Sequence, residues 1–354
     1  MILLTGGAGF IGSNFILDWC KFSDEQVINI DKLTYAGNLM NLSSLKGSKQ
    51  LRFFNADIGD KELIAEILHK YKPRAVINFA AESHVDRSIH APRDFINTNI
   101  IGTYELLEAV NSYWANLQDS MKTEFKFLHI STDEVYGSLL SEDPSFTEQN
   151  QYKPNSPYSA SKAASDHLVR AFHKTYQLPT ITSNCSNNYG PFQFPEKLIP
   201  LTINNIINVQ KIPVYGNGLQ VRDWLYVNDH CDALRLILSD GKIGEVYNIG
   251  GLNEKTNIEV ISMLCNKMDK QIGAHKNVSS LSLITHVEDR AGHDTRYSID
   301  ISKISEVLDW KPKETFESGI DKTVKWYIDN QDWVDSVVTG DYIEWMKKNY
   351  SKIL

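Results

Sequence analysis

The chain opens on an apolar run that ends in a glycine-rich turn, and this turn constrains the fold more than any other feature. Gly7, Gly9 and Gly12 satisfy the spacing G-x-G-x-x-G, and Gly6, Gly9 and Gly12 also satisfy G-x-x-G-x-x-G. A helical pattern follows the turn, and Asp31 ends the next apolar run, as in a dinucleotide-binding βαβ unit. Glycines there allow a tight turn and let a pyrophosphate approach the helix N-terminus.

The acidic residue after the second apolar run selects between the two nicotinamide dinucleotides. Asp31 would accept hydrogen bonds from an adenosine ribose and would repel a 2′-phosphate, so the sequence favours NAD over NADP, although the adjacent Lys32 weakens that preference. Ser13, rather than lysine, follows Gly12, which excludes a nucleotide-binding P-loop at this position. The alternative is a structural glycine turn in an α/β domain that binds no nucleotide.

Short β-branched runs alternate with helical patterns in the first half of the chain. This alternation predicts βαβ units, and therefore an α/β protein with a Rossmann-type, doubly wound parallel sheet. The expected strands lie at residues 2–4, 27–30, 52–55, 75–80, 126–131, 180–184 and 246–249. The expected helices lie at residues 14–20, 61–70, 94–114 and 158–176.

The length of 354 residues corresponds to about two domains. After residue 185 the alternation decays and Asn, Pro and Gly accumulate, so we expect a smaller, discontinuous α/β substrate-binding domain. The expected NAD-binding domain covers residues 1–186, and about 223–250 return to it. The second domain then takes residues 187–222 and 251–354.

Composition excludes several classes of protein. The formal net charge is −8, from 36 basic and 44 acidic residues, and no basic block of five or more occurs, so we expect no nucleic-acid partner. No apolar run approaches the ~18 residues of a membrane span, and no basic region precedes the first glycine turn, which favours a cytoplasmic protein. The cysteines have neither metal-site spacing nor the density of a disulfide scaffold, so no metal is expected: Cys20, Cys185, Cys231 and Cys265.

Tyr158 and Lys162 lie four residues apart on a predicted helix and therefore share one face. A free phenol has a pKa of ~10 and is a slow base at neutral pH. A neighbouring ammonium and an oxidised nicotinamide are both positive, so we expect them to lower the pKa of Tyr158 and make it a useful base. Lys162 could also hold the nicotinamide ribose. The alternative is an exposed helix pair with no chemical role.

Thr132, Asp133 and Glu134 follow the predicted strand at 126–131. Simple hydride transfer needs the hydroxyl but not two carboxylates, whereas an elimination needs one group to take a carbon-bound proton and another to protonate a departing hydroxyl. Two carboxylates in one dry site cannot both ionise cheaply, so one pKa rises and supplies the acid. All three side chains can serve one substrate only if the chain leaves strand geometry at about Thr132. The alternative is an Asx-type turn with solvated acids.

These motifs together resemble the extended short-chain dehydrogenase/reductase superfamily and, more narrowly, the dTDP-glucose 4,6-dehydratase family within it. The resemblance runs through nearly the whole chain, and the TDE triplet and the HVDRS segment separate it from the similar nucleotide-sugar 4-epimerases. The matching segments are TGGAGFIGS (5–13), DKLTYAGN (31–38), FAAESHVDRS (79–88), STDEVYG (131–137), PYSASKAASDH (157–167), CSNNYGPFQFPEKLIP (185–200), VRDWLYV (221–227), YNIGG (247–251) and DRAGHDTRY (289–297).

The resemblance implies a redox-neutral lyase that converts dTDP-glucose to its 4-keto-6-deoxy form, for deoxysugar and in particular rhamnose biosynthesis. Tyr158 would remove the proton from the C4 hydroxyl while Thr132 positions it, and a hydride would pass from C4 to NAD⁺. Glu134 would then take the C5 proton and Asp133 would protonate the C6 hydroxyl as water leaves. Return of the hydride to C6 regenerates the cofactor, which should stay tightly bound.

The resemblance also assigns binding residues. Those expected to bind NAD, including the glycines of the turn, are Gly6, Gly9, Phe10, Ile11, Gly12, Asp31, Lys32, Leu33, Thr34, Asp57, Ile58, Ala80, Ala81, Ser83, Thr98, Tyr158, Lys162 and Asn188. Those expected around the nucleotide sugar are His84, Thr132, Asn187, Lys197, Leu198, Pro213, Val214, Tyr215, Arg222, Asn257, Asp289, Arg290, Ala291, Gly292 and His293.

Some of these assignments have ordinary structural alternatives. Arg222 and Arg290 supply the cation density that a diphosphate needs on an acidic protein, yet Arg222 could instead form an ion pair with Asp223. Trp224 and Tyr226 are expected in the core rather than against a base. The departures from the family pattern are Ala291 for a common proline, Asn228 for an aspartate and Asn184 for an arginine.

Three other functions stay open. A 4-epimerase would use Tyr158 and Lys162 but would leave Asp133 and Glu134 without a task. A dehydratase of another nucleotide sugar would differ only in the base pocket, because one methyl group is worth only ~1–3 kcal/mol. An NAD-binding sensor would need none of the chemistry. The resemblance further implies a homodimer built through helices near residues 100–115 and 158–175 as a four-helix bundle.

Overall fold

The computed structural model describes residues 1–273 and 278–338, so the part of the expected second domain at 339–354 lies outside the described residues. Twelve strands are present in the described ranges. They are β1 (Ile2–Thr5), β2 (Val27–Asp31), β3 (Leu51–Asn55), β4 (Ala75–Asn78), β5 (Lys126–Thr132), β6 (Thr180–Cys185), β7 (Asn187–Tyr189), β8 (Ile212–Tyr215), β9 (Val221–Tyr226), β10 (Val246–Ile249), β11 (Glu254–Thr256) and β12 (Ile284–Val287).

Helices flank and connect these strands. The α-helices are α1 (Phe10–Phe22), α2 (Lys61–Tyr71), α3 (Val85–His90), α4 (Pro92–Phe95), α5 (Thr103–Ala115), α6 (Asp119–Glu124), α7 (Pro157–Tyr176), α8 (Leu198–Ile207), α9 (Val227–Asp240), α10 (Asn257–Ile272), α11 (Ser302–Leu308), α12 (Phe316–Asp329) and α13 (Gln331–Val337). Short 3₁₀ segments lie at Leu39–Leu45, Asp133–Tyr136 and Ser280–Leu283, and a π-helical segment lies at Ile96–Gly102. Within 1–273 and 278–338, no helix has the length and apolar character needed to cross a bilayer.

Seven strands form one parallel sheet in the order β10-β6-β5-β4-β1-β2-β3. Strand order reverses between β1 and β4, where the chain leaves β1 toward β2 on one side and later returns to β4 on the other. In open α/β sheets a ligand crevice forms at this reversal, outside the carboxyl ends of the strands. The predicted Rossmann-type sheet is confirmed, and residues 246–249 belong to it as expected.

One predicted helix was wrong in its detail. Residues 94–114 do not form a continuous α-helix, because α4 ends at Phe95 and the seven residues Ile96–Gly102 are π-helical before α5 begins. The widened turn buries the Asn99 side chain, which donates to Glu82 O at 3.0 Å and Ser161 Oγ at 2.8 Å and accepts from the Glu82 N–H. Hydrophobic periodicity does not encode such a segment, because the amide is held by partners on other elements.

A second, smaller unit carries its own core. Strands β11, β9 and β7 form a three-stranded sheet, β12 pairs with β8, and α8, α10 and α12 pack around them. Trp224 and Tyr226 lie in this core, so their assignment to the interior is confirmed. Strand β9 crosses the expected boundary at 222/223. The segment 301–310 packs on the core of the large sheet, and the domain limits stay a prediction.

Candidate active site

The glycine turn after β1 is packed too tightly for side chains. Gly6 has φ +70°, and a Cβ on it would lie 2.6 Å from the Ala80 N atom. A Cβ on Gly12 would lie 2.4 Å from the Gly6 carbonyl oxygen, whereas the nearest atom to one on Gly9 would be 3.3 Å away. The backbone of the turn therefore lies directly on the end of β4 and on the start of α1. This is the close approach that a bound pyrophosphate requires, so the turn fits a dinucleotide.

Asp31 stands at the carboxyl end of β2, where its carboxylate organises the turn. One oxygen accepts from the Ala8 N–H and the other from the Leu33 N–H, both at 2.8 Å. Each oxygen keeps a second lone pair for a ribose hydroxyl. Lys32 forms a 2.7 Å ion pair with Asp57, so its positive charge already has a partner. The preference for NAD that Asp31 implies is therefore not offset by a free cation at Lys32.

A cavity of about 290 Å³ runs from the glycine turn along the carboxyl ends of the large sheet. Most of the residues expected to bind NAD line it, together with the chemical residues and two of those expected around the sugar. The predicted residues that line it are Gly6, Gly9, Phe10, Ile11, Gly12, Asp31, Lys32, Thr34, Asp57, Ile58, Ala80, Ala81, Ser83, Thr98, Thr132, Asp133, Glu134, Tyr158, Lys162, Asn187, Asn188 and Lys197. Leu33 does not line the cavity and contributes its backbone N–H to Asp31 instead.

Tyr158 and Lys162 both face this cavity from the first turns of α7. The helix starts with a capping box in which the Ser156 and Ser159 side chains satisfy each other's backbone N–H groups, and Pro157 occupies the first turn. Tyr158 and Lys162 are buried, and Lys162 Nζ donates to the Ile130 carbonyl at 2.8 Å. The pair is therefore not an exposed helix pair.

The pKa of Tyr158 differs from the sequence-based expectation. Burial raises the pKa of the phenol well above its ordinary value, and the negative charge of Glu134 adds to the rise. Burial also lowers the pKa of Lys162, whose ammonium is directed to a carbonyl. The lowering of the Tyr158 pKa that the sequence predicted therefore needs the positive charge of an oxidised nicotinamide in addition to that of Lys162.

The hydroxyl and the two carboxylates stand where β5 ends. The strand stops at Thr132, whose side chain caps a 3₁₀ turn over Asp133–Tyr136 by accepting from the Glu134 N–H at 3.3 Å. Gly137 closes the turn at φ +94° and ψ −155°, a region that glycine alone adopts readily. The predicted departure from strand geometry at Thr132 is confirmed. It brings all three side chains to the cavity beside Tyr158.

The two carboxylates have different surroundings. Asp133 is fully buried, and burial together with Glu134 raises the pKa of its carboxyl well above the ordinary value. Burial also raises the pKa of Glu134, but the cations Arg290 and Arg222 oppose that rise. Asp133 Oδ2 has no hydrogen-bond partner in residues 1–273 and 278–338, so a proton on this carboxyl has room to face the cavity. The expected division into one acid and one base fits this asymmetry.

The remaining residues expected around the sugar lie outside the cavity lining: His84 is the N-cap of α3, and the others form a second wall on the smaller unit and its adjoining loop. The remaining residues are His84, Leu198, Pro213, Val214, Tyr215, Arg222, Asn257, Asp289, Arg290, Ala291, Gly292 and His293. Asp86 ties this wall to α3, because it accepts from Tyr215 Oη at 3.0 Å and pairs with Arg290 Nη1 at 3.3 Å. His293 Nδ1 lies 2.6 Å from Asp289 Oδ1. Asp86 was not singled out from the sequence.

Arg222 does not form the ion pair that was its structural alternative. Its guanidinium donates to the Val221 and Asp294 carbonyls at 2.7 and 3.0 Å and stacks over Tyr297 at 4.4 Å. The Asp223 carboxylate instead accepts from the Gly251 and Asn253 N–H groups. In the described part of the chain Arg222 thus has no carboxylate partner, and its charge is available to a ligand.

The structure also locates the three departures from the family pattern. Asn184 is buried and donates to the hydroxyls of Tyr136 and Tyr152 at 3.0 and 3.1 Å. Asn228 and Ala291 are exposed. None of the three lines the cavity.

The chain is similar to several known proteins over nearly its whole length. The sequence profile of a family described as GDP-mannose 4,6 dehydratase matches residues 3–323. A dTDP-glucose 4,6-dehydratase from Salmonella typhimurium is 55% identical over 99% of this chain and 98% of its own length. The crystal structure of DesIV, a dTDP-glucose 4,6-dehydratase from Streptomyces venezuelae with NAD and TYD bound, has a TM-score of 0.86 at 42% identity, covering 95% of this chain and 99% of that one.

More distant structures share the fold. A UDP-glucose 4-epimerase from Thermotoga maritima, solved with UDP-glucose, has a TM-score of 0.80 at 28% identity and covers 93% of this chain and 99% of its own. Identity and coverage are both higher for the dehydratases than for this epimerase. By its near-complete match at 55% identity, the chain belongs to the dTDP-glucose 4,6-dehydratase family of the extended short-chain dehydrogenase/reductases.

Proposed function

We propose that this protein is a lyase that removes water from dTDP-glucose and yields dTDP-4-keto-6-deoxyglucose, with NAD as a resident cofactor. The observation that carries the proposal is the pair of carboxylates on the turn after β5, beside the buried Tyr158 and Lys162. A hydride-transfer enzyme needs only the hydroxyl, tyrosine and lysine. The added Asp133 and Glu134 supply the acid and base of an elimination.

The first step uses the residues at the start of α7 and the end of β5. NAD⁺, when bound, would supply the acceptor for the C4 hydride and the source of the hydride that C6 receives. Tyr158 removes the proton of the C4 hydroxyl, and Thr132 orients that hydroxyl. Lys162 holds the nicotinamide ribose and keeps a positive charge near the phenolate. The ketone formed at C4 makes the neighbouring C5 proton acidic.

The elimination then uses the two carboxylates in separate roles. Glu134, whose negative charge is favoured by Arg290 and Arg222, takes the C5 proton. Asp133, which burial keeps protonated, gives its proton to the C6 hydroxyl as water departs. The two side chains therefore act as base and acid on opposite ends of one carbon–carbon bond.

The residues proposed to bind NAD and those proposed to bind the diphosphate lie on different parts of the molecule. The residues expected to bind NAD surround the glycine turn, Asp31 and the end of β4. The diphosphate lies against Arg222 and Arg290 of the second wall and against Lys197 of the cavity lining, which supply the local cations that a diphosphate needs on an acidic chain. We also propose that the protein acts in the cytoplasm in a deoxysugar pathway, rhamnose biosynthesis in particular, and that it is a homodimer.

A 4-epimerase is the second candidate, because the Thermotoga maritima UDP-glucose 4-epimerase shares the fold with a TM-score of 0.80. That reaction would use Tyr158 and Lys162 in the same way. It offers no task for a buried Asp133 beside a second carboxylate, and burial of such a group costs stability, which a catalytic role would account for.

The test is incubation of the purified protein with dTDP-glucose and no added NAD. We expect the sugar to lose the mass of one water and to gain the alkali-induced ultraviolet absorbance of a ketosugar. That result would require both the dehydratase chemistry and a retained cofactor. Unchanged mass with conversion to the galactose epimer would favour the epimerase. No reaction, even after NAD is added, would contradict the proposed substrate, and other nucleotide sugars would then be compared.

A further inference from the structure

A buried polar network lies behind the face of α7 that carries Tyr158 and Lys162. Its centre is Asp166, one helical turn after Lys162 and 5% exposed. One carboxylate oxygen of Asp166 accepts from Ser131 Oγ at 2.9 Å and from Tyr152 Oη at 3.0 Å. Residues four apart on a helix are neighbours, so Asp166 is next to Lys162 on the side away from Tyr158.

The second oxygen of Asp166 faces a histidine whose tautomer can be assigned. His129 Nε2 lies 3.3 Å from Asp166 Oδ1, and His129 Nδ1 lies 3.2 Å from Asn78 Nδ2. Asn78 Oδ1 accepts from Thr5 Oγ1 at 2.6 Å, which fixes the amide so that Nδ2 is the donor to the histidine. His129 Nδ1 is therefore the acceptor, and its Nε2 carries the proton, which Ser165 Oγ accepts at 3.3 Å. Asp166 Oδ1 lies beside this ring but has no hydrogen-bond partner in the described residues.

The groups that donate hydrogen bonds to Asp166 are neutral, so the negative charge of its carboxylate is balanced by Lys162. Ser131 and Tyr152 donate as neutral hydroxyls, and complete burial lowers the pKa of His129, which keeps the ring neutral. Arg170, one turn further along α7, is exposed and forms no ion pair with Asp166 in the described ranges. A buried carboxylate with only neutral donors is stabilised by a nearby cation, and Lys162 is the buried cation one turn earlier on the same helix, although its Nζ atom is directed to the Ile130 carbonyl and forms no direct ion pair with Asp166 in the part of the chain that the structure describes.

Lys162 in turn depends on Asp166. Its Nζ atom donates to the Ile130 carbonyl, which is neutral. Burial lowers the pKa of Lys162, and Asp166 is the strongest influence in the opposite direction. The other titratable groups that face it are Tyr158 on α7, His129 on β5 and Cys185 on β6. Burial raises the pKa of Cys185 to about 12, so this thiol is neutral near pH 7.

We infer that Asp166 is a positioning residue for the proposed reaction: its buried carboxylate is the counter-charge that keeps the Lys162 ammonium charged behind Tyr158. The inference rests on the proposed function, since it concerns the tyrosine base of that reaction. Ser131 and Tyr152 hold the carboxylate in place through one of its oxygens, and the other oxygen has no hydrogen-bond partner within residues 1–273 and 278–338. Asp166 touches neither substrate nor cofactor.

The test is the pH dependence of the oxidation step in the substitution Asp166→Asn, which keeps the shape and removes the charge. Rapid mixing with dTDP-glucose would follow the near-ultraviolet absorbance of the reduced cofactor, a step that does not use Asp133. We expect the alkaline limb of the pH–rate profile, where Lys162 loses its proton, to move to lower pH by about one to two units. The reason is that the substitution removes the negative charge of Asp166 one helical turn away from Lys162. Near pH 7 the rate should fall about ten-fold with KM little changed.

Tyr152→Phe is the matched control, because it removes one hydrogen bond to the same carboxylate and leaves the charge. We expect its alkaline limb to stay in place, and Arg170→Ala should behave likewise. The inference would be overturned if Asp166→Asn folds and its alkaline limb lies at the same pH as that of the parent. It would also be overturned if Tyr152→Phe moves the alkaline limb by as much as Asp166→Asn does.

Should Asp166→Asn not fold, Asp166→Ser gives a second neutral side chain for the same comparison. Asp166→Glu keeps a negative charge at this position, so its alkaline limb should lie at the same pH as that of the parent. A parent protein that fails to dehydrate dTDP-glucose contradicts the proposed function. A parent that dehydrates it while both neutral variants keep the parental limb contradicts only the role of Asp166.

Discussion

Two adjacent carboxyl groups can hold different protonation states when their environments differ. Asp133 is almost completely buried, so a charge on its carboxyl is poorly solvated. Glu134 extends from the same turn toward Arg222 and Arg290, which favour its negative charge. The residue types alone would suggest exchangeable roles, but the negative charge of Glu134 adds to the rise in the pKa of Asp133, whereas Arg290 and Arg222 are the main influences that oppose the rise in the pKa of Glu134.

The proposed base can be tested by Glu134→Gln. We expect the variant to fold and to retain NAD, while dehydration falls by at least about 100-fold, because the amide cannot take the C5 proton. Turnover would be measured as loss of water from dTDP-glucose, and bound cofactor would be measured after denaturation. Glu245→Gln, on a surface ion pair with Lys303, is the control and should keep full activity. Normal turnover in Glu134→Gln would contradict the assigned role.

The proposed acid has a consequence for stability against pH. The folded-state pKa of Asp133 lies above the unfolded value of about 3.9, so the folded protein favours the neutral carboxyl. The free energy of unfolding therefore decreases as pH rises above about 4, until pH passes the folded pKa. Asparagine does not titrate, so Asp133→Asn should have a higher Tm than the parent at pH 7 and the same Tm near pH 4.

Thermal unfolding of parent and variant across this pH range would measure the difference. The exposed Asp332→Asn, measured in parallel, is the control for the general effect of replacing an aspartate by asparagine. If the difference in Tm between Asp133→Asn and the parent is constant with pH, or has the opposite sign at pH 7, the Asp133 carboxyl is ionised in the folded protein and cannot serve as the acid.

Residues that act through local spacing could be predicted from the sequence, and those that act through distant partners could not. The turn glycines, Asp31, Tyr158 with Lys162, and the TDE triplet are each contained in one short segment. Asp86 differs, because its partners Tyr215 and Arg290 lie 129 and 204 residues further along the chain. No periodicity or spacing signals such a pair, although the HVDRS segment that contains Asp86 was recognised as distinctive.

At the scale of elements, the parallel strands were predicted to within about one or two residues because buried strands are continuous apolar runs bounded by polar residues. The strand expected at 75–80 ends at Asn78, and the next residues leave the sheet to line the cavity. The helix expected at 94–114 was wrong at its start, where Asn99 is held by Glu82 and Ser161. Both differences occur beside the site, where tertiary contacts override local preference.

The 3₁₀ turn that carries the two carboxylates depends on Gly137. A Cβ at this position would lie 2.5 Å from the Lys153 carbonyl oxygen, and the backbone has φ +94°. We expect Gly137→Ala to lower the free energy of unfolding by about 3 kcal/mol or more, since strain and a backbone clash add. Activity should fall as well, because the clash displaces Asp133 and Glu134.

Gly47 offers a matched control for that substitution. It also has positive φ, +79°, but a Cβ there would have no atom within 4 Å. Gly47→Ala should therefore lower the free energy of unfolding by only about 1 kcal/mol, the cost of a positive φ for alanine, and should keep full activity. Chemical denaturation and turnover would be measured for both variants. Equal losses of stability would show that the contact with Lys153 is unimportant.

At the scale of the whole molecule, the active site lies between the large sheet and the smaller unit. The large sheet contributes the glycine turn, Asp31 and the turn after β5, while the smaller unit and its loop contribute Arg222 and Arg290. The Asp86–Arg290 ion pair connects the two sides. The proposed chemical residues thus lie on the large sheet and the two arginines lie outside it, in a fold that the dehydratase and the epimerase structures share.

The proposed homodimer can be tested on the apolar side chains that the π-helical segment and α5 leave exposed. Ile96, Ile101 and Tyr104 are 48%, 50% and 39% exposed in the single chain. Exposed apolar groups that cluster in this way favour contact with a second copy. Light scattering after size exclusion should give twice the chain mass of 40.2 kDa for the parent and 40.2 kDa for Ile101→Glu, because a charge buried without a partner disfavours association.

Leu140→Glu is the control for this experiment, since Leu140 is 70% exposed but lies outside these helices. It should keep the mass of the parent. A parent protein that elutes with the mass of one chain would contradict the dimer. An Ile101→Glu protein that stays at twice the chain mass would place any dimer interface elsewhere. Because Thr98 lines the cavity from the same π-helical segment, we expect the monomeric variant also to release NAD more readily, which cofactor content after gel filtration would measure.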